Sequence, residues 1–182
     1  MLQGETEQQN NAILFTSLRV GVGEKPSYLE FGLEIKDQQQ TEEALDPDRD
    51  EDALLTTLHA TLVGRLFGLK SKTKLAVSEN DADGMFKDKT VLRLSEELSH
   101  PFGSFVLGFG FRARRNEFKE QDPNFNDETP TETLLGYFVN GLYAFSRSWI
   151  LTLEVLTETQ SSNVEASEYD NFSFSTSLIY VF

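Results

Sequence analysis

The sequence predicts an all-β fold, an antiparallel up-and-down β-barrel of about eight to ten strands. Three observations carry this. Apolar residues recur with period two along successive short segments, the mark of strands with one apolar face. The opposite faces carry charges, serines and glycines rather than a second apolar set. The segments are joined alternately by tight turns and by long acidic connections.

At 182 residues the chain is long enough for one small barrel domain. We expect a flexible N-terminal segment over 1–11 and a barrel domain over 12–182. That domain is either a whole barrel or the C-terminal part of a larger or multi-chain one. The first strand is expected over Leu14 to Val22, where alternation is weak. In the second, Leu29, Phe31, Leu33 and Ile35 oppose Glu30, Gly32, Glu34 and Lys36. In the third, Leu54, Leu58, Leu62 and Leu66 oppose Thr57, His59, Thr61 and Arg65. The fourth and fifth, Leu69 to Val77 and Thr90 to Ser95, are weak members; the fourth carries Lys70, Lys72 and Lys74 on one face.

The sixth segment is the clearest. Phe105, Leu107, Phe109, Phe111 and Ala113 form one face, and Gly108, Gly110, Arg112 and Arg114 lie on the other. Bulky aromatics opposite glycine and arginine do not read as an ordinary sandwich strand. These glycines, like Gly21 and Gly23, are read as room for large neighbours rather than as a phosphate loop, because no helix follows either pair. Two more strands run from Leu135 to Phe145 and from Trp149 to Val155; in the latter, Leu151 and Leu153 oppose Thr152 and Glu154. The five prolines, Pro26, Pro47, Pro101, Pro123 and Pro130, are expected between strands.

The last segment places Phe172, Phe174, Thr176, Leu178, Tyr180 and Phe182 on one face and Ser173, Ser175 and Ser177 on the other. Leu178, Tyr180 and Phe182 resemble the closing strand of bacterial outer-membrane β-barrel proteins, which ends in an aromatic preceded by alternating apolar residues. The resemblance covers about ten residues and implies a transmembrane barrel in the bacterial outer membrane. It also implies recognition of Leu178, Tyr180 and Phe182 by the barrel assembly machinery, contact with outer-membrane lipid and lipopolysaccharide, and association with other barrel subunits. Tight turns would face the periplasm, with Phe145, Trp149, Tyr180 and Phe182 in an aromatic girdle there.

One count does not close. Nine candidate strands are found, whereas a single-chain bacterial barrel normally has an even number. Either a weak segment, Leu14 to Val22 or Thr90 to Ser95, is not a strand, or one strand is missing. The start, Met1 to Glu7, lacks the basic and apolar regions of a signal peptide.

Composition narrows function. Thirty acidic against sixteen basic residues give a formal net charge of -14, which disfavours nucleic acid as a partner. The absence of cysteine removes disulfides, thiolate metal sites and cysteine nucleophiles. No apolar run is long enough for a transmembrane helix, which says nothing of a barrel. Asp46, Asp48, Asp50 and Asp52 alternate in one loop and Asp81, Asp83 and Asp88 gather in another, but the EF-hand pattern is incomplete and the reading is a solvated loop. No metal or cofactor is expected. His59 is read as a polar lumen residue and His100 as a turn residue, so no enzyme is expected.

The residues expected to line the lumen are Glu30, Glu34, His59, Arg65, Lys70, Lys72, Lys74, Arg112, Arg114 and Glu154. In a narrow barrel they would pair and plug it; in a wider one they would set ion selectivity. The expected function is a small channel, a structural barrel or a component of a transport or secretion assembly. The competing expectation is a soluble lipocalin-like barrel that binds a small apolar ligand, with its aromatics inward.

Overall fold

A computed structural model describes residues 9–23, 27–40, 52–121, 129–146, 148–164 and 167–180. They form nine strands, β1 (Gln9–Gly21), β2 (Tyr28–Gln40), β3 (Ala53–Leu66), β4 (Leu69–Ala82), β5 (Lys89–Phe102), β6 (Phe105–Phe118), β7 (Thr131–Ala144), β8 (Trp149–Ser162) and β9 (Tyr169–Tyr180). Each pairs antiparallel with the next, giving one sheet in the order β1 to β9. The up-and-down, all-β reading therefore stands. No hydrogen-bonded pairing joins β9 to β1 among the described residues.

Turn chemistry sets the registers. Phe67 and Gly68 both have positive φ, 51° and 82°, as a type I′ hairpin requires. Gly103 takes φ 63° ahead of Ser104, and the Phe102–Phe105 pair closes that hairpin. The Ser146 hydroxyl accepts the backbone N–H groups of Ser148 and Trp149 at 3.2 and 3.1 Å, which starts β8. At the other end β4 and β5 are joined by a 3₁₀ turn, Met85–Lys87, and the Asp88 carboxylate accepts the Ala82 N–H at 2.6 Å.

The alternation seen in sequence becomes two chemically distinct faces. On one, Leu58 is 61% exposed, Tyr137 61% and Phe172 72%, with Leu14, Leu18, Phe31, Phe109 and Val139 also bare. At its tight-turn end Tyr143, Phe145, Trp149 and Tyr180 form a ladder of ring contacts with centroids 4.8–6.5 Å apart. The other face holds the core: Val63, Ala76, Ser78, Val91, Asn116, Leu134 and Leu156 are buried there.

The sheet curls around that second face. A single cavity of about 550 Å³ is lined by Gln38 of β2, Ser78 of β4, Arg93 of β5, Arg114 of β6 and Tyr169 of β9. In a flat sheet the steps from β2 to β9, at about 4.8 Å each, would set these residues over about 30 Å apart. The paired row that starts at Gly21 also ends at Ser173, well short of the β9 terminus at Tyr180, so the ladder is staggered as in a sheet of tilted strands.

Several expectations are corrected. The nine strands among the described residues match the nine candidates counted in the sequence, and the suspicion against Leu14 to Val22 and Thr90 to Ser95 falls, since they belong largely to β1 and wholly to β5. β1 begins at Gln9, inside the segment expected to be flexible. His100 and Pro101 lie in β5 rather than a turn, with His100 edge-on to Phe102 at 4.7 Å. Pro101 is accommodated near the strand end, where one missing N–H costs the ladder least. β4 runs on to Ala82, so Asp81 is a strand residue. Asp46, Asp48 and Asp50, Phe182 and the Met1 to Glu7 start lie outside the described residues.

Candidate functional site

The pairing registers put all ten expected lumen residues on the concave face. One row across the sheet reads Gly32, His59, Ala76, Arg93, Arg114, Leu134, Gln160, Tyr169. The next reads Glu30, Thr61, Lys74, Ser95, Arg112, Gly136, Glu158, Asn171. Glu34, His59, Lys74, Arg112 and Arg114 meet around a second cavity of about 760 Å³, adjoining the first. Glu30, Arg65, Lys70, Lys72 and Glu154 line neither cavity.

Glycines let long side chains lie flat here. A Cβ on Gly32 would fall 2.3 Å from Cε1 of His59, whose ring crosses the glycine and stacks on Phe15 with centroids 5.8 Å apart. A Cβ on Gly108 would strike the amide of Asn140, which crosses to donate to Glu97 Oε1 at 3.2 Å. Gly136 lies beneath Arg112, whose Nη2 and Nε reach Glu158 Oε1 on β8 at 2.8 and 3.0 Å. The expectation that glycine makes room for large neighbours holds at Gly108, and at Gly110 beside Phe138, but not at Gly21 or Gly23, where a Cβ would meet open space.

Ion pairing is partial. Arg112 is held by Glu158, and Arg19 donates to Glu30 Oε2 through Nη2 and Nε at 2.5 and 2.8 Å while lying over the Tyr28 ring. No ion pair to a carboxylate holds Lys70, Lys72, Lys74, Arg93 or Arg114 among the described residues. Arg93 instead donates through Nη1 to Ser78 Oγ at 2.6 Å, and that hydroxyl shares a proton with Thr57 Oγ1 at 2.8 Å. Among the described residues Arg114 reaches only Gln160 Oε1, at 3.4 Å, and its Nε is buried without a partner.

The charge of the concave face opposes that of the chain. Among the described strand residues, Arg19, Lys36, Arg65, Lys70, Lys72, Lys74, Lys89, Arg93, Arg112 and Arg114 project from it, against Glu30, Glu34, Glu97, Glu132, Glu154 and Glu158. That is ten cations to six carboxylates in a protein of net charge -14. On the convex face Arg115 is the one basic strand residue among those described, and it pairs with Glu117 at 2.8 Å.

Arg93, Ser78, Lys36, Lys89 and Gln160 were missed as site residues by sequence reasoning. The signal for Arg93 was present: Leu92 and Leu94 flank it, so turning them outward turns it inward. His59, with its ring on Phe15 and Gly32, makes no contact with a serine–carboxylate pair among the described residues. No group of three or more metal-ligating side chains gathers among the described residues. No family model, curated protein or solved structure matches the chain.

Proposed function

We propose that the chain is a transmembrane β-barrel of the bacterial outer-membrane type, closed around its charged face and serving as a small solute channel or as the pore of a transport assembly. One observation carries the reading. The convex face carries exposed apolar side chains from β1 to β9, interrupted within their band by Glu96, which Ser71 and Thr73 hydrogen-bond, while most of the basic and the buried polar side chains lie on the concave face. A lipid bilayer asks for that sidedness, and a soluble lipocalin-like barrel asks for the reverse.

Strand dimensions support it. Transmembrane strands need about 9–11 residues, and β2 to β8 have 13 or 14. The aromatic ladder at the tight-turn end sits where such proteins meet the membrane interface. The two adjoining cavities, rather than a close-packed apolar core, favour a channel over a purely structural barrel.

The test is folding of the purified full chain with and without detergent, read by circular dichroism and by gel migration before and after boiling. Strand signal only in detergent, with a band that shifts on boiling, is expected, and conductance across a planar bilayer should follow. A monomer folded in plain buffer would overturn the membrane reading and return attention to the lipocalin-like alternative.

A further inference from the structure

We propose that Arg93 and Arg114 form a binding site for a soluble phosphate-type oxyanion inside the curl of the sheet. The two stand directly opposite each other on β5 and β6. Like charges at opposed positions repel, and an arrangement that keeps them so is accounted for when an anion sits between them. The chain pairs arginine elsewhere on the same face: Arg112, two residues from Arg114, is held through two nitrogens by Glu158. At Arg93 and Arg114 it supplies a hydroxyl and a distant amide instead.

The geometry fits a tetrahedral oxyanion. Both guanidiniums line both cavities and so stand at their junction. Arg93 is steadied from behind by Ser78, which is 1% exposed, leaving the rest of its donor fork for a ligand. The buried Nε of Arg114 has no acceptor among the described residues. A planar fork of N–H donors matches phosphate oxygens two at a time, which an ammonium does not.

Competing carboxylates are few or occupied. Glu132 lines the first cavity but accepts from Asn116 at 2.8 Å, and Glu158 is taken by Arg112. Glu34, which lines the second cavity, is the carboxylate whose charge reaches Arg93, though it makes no ion pair with it among the described residues. Lys87 and Lys89 also line the first cavity. Lipid phosphates lie beside the convex face in the reading above, so the anion reaching this site comes from solution. The site rests on the curl of the sheet and not on membrane insertion, so either proposal can fail alone.

Inorganic phosphate is the probe, added to the folded full chain at constant ionic strength with chloride as the reference anion. Isothermal calorimetry and the phosphate-induced rise in Tm are read for wild type, Arg93→Gln, Arg114→Gln, Arg114→Lys and Arg115→Gln. We expect wild type and the convex-face control Arg115→Gln to bind alike. Arg93→Gln and Arg114→Gln should each bind at least tenfold more weakly, and Arg114→Lys should fall between. In chloride alone, Arg114→Gln should melt no lower than wild type, because one of two repelling charges is gone. If Arg114→Gln does not fold, Arg114→Lys keeps the charge and still tests the fork. Phosphate binding that is absent in wild type, or equal in wild type and the Arg93 and Arg114 variants, would overturn the site.

Discussion

Placing a methyl group on Gly32 should destabilise the protein in one background and stabilise it in another. In wild type, the new Cβ lies 2.3 Å from Cε1 and 2.5 Å from Nε2 of the His59 ring, so the ring must swing away. It then leaves the stack on Phe15, an interaction of about 0.5–1.5 kcal/mol beyond its buried area. The displaced ring swings toward the cavity that it already lines, at about 0.5–1.5 kcal/mol for leaving its preferred rotamer. Against this, alanine in a strand interior gains about 0.5–1 kcal/mol over glycine. Gly32→Ala alone should therefore cost about 1 kcal/mol. With His59→Ala already in place nothing obstructs the methyl, and the same change should gain about 0.5–1 kcal/mol. The coupling is then about 1.5–2 kcal/mol, well above the few tenths expected of independent sites. Urea titration followed by fluorescence of Trp149, the one tryptophan, measures all four corners of the cycle. An equal effect of Gly32→Ala in both backgrounds would show that the ring does not lie across the glycine.

Three further outcomes are expected. Leu58→Arg, at a convex position that is 61% exposed, should cost about 2–4 kcal/mol if that face meets lipid and less than about 0.5 kcal/mol if it meets water; refolding yield and urea midpoint in liposomes distinguish them. Phe67→Asn should raise stability by about 0.5–1 kcal/mol in chemical denaturation, because Phe67 is 91% exposed at φ 51° and asparagine tolerates that conformation far better. Lys119, outside the strands, hydrogen bonds Glu79 at 2.5 Å, and that bond, with the nearby charges of Glu79, Asp88 and Asp81, raises its pKa above 10.5. Its contribution, at most about 1 kcal/mol for so exposed a pair, should be complete below pH 10.5 and vanish as pH rises through the raised value; the stability difference between wild type and Lys119→Met should shrink over that range.

What the sequence made legible follows from where apolar alternation is strong. Leu29 to Ile35, Phe105 to Ala113 and Phe172 to Tyr180 each declared both faces, and the ten lumen candidates were assigned a common face from that alone. Alternation fades where a strand leaves the apolar band. Ser78, Glu79, Asn80 and Asp81 extend β4 with no apolar partner on either side, so they read as loop. His100 and Pro101 read as a turn for a similar reason, since proline is a turn signal unless it falls at a strand end. That misplaced turn had a cost at the site. The β5–β6 register depends on a two-residue turn at Gly103 and Ser104, and displacing it re-pairs every residue across the two strands. Only the correct turn sets Arg93 against Arg114. Face membership was thus readable residue by residue, whereas the opposition of the two arginines needed a register.

The odd number of strands among the described residues carries a consequence of its own. In an up-and-down meander of nine, β1 and β9 run in the same direction. Such a sheet can seal onto itself only through a side-by-side seam of co-directional strands, unlike the eight hairpin-type junctions that precede it. Bonds across a parallel pair are slanted and slightly weaker than those of an antiparallel one. A ring so built has one junction that differs from all the rest. Ile13 and Phe15 on the concave side of β1, and Ile179 on that of β9, are exposed beside the two free edges, as residues awaiting a neighbour across such a seam would be. Amide exchange along β1 and β9 should outpace that of β4 to β7, and in a closed ring such a seam would be the line along which the wall parts.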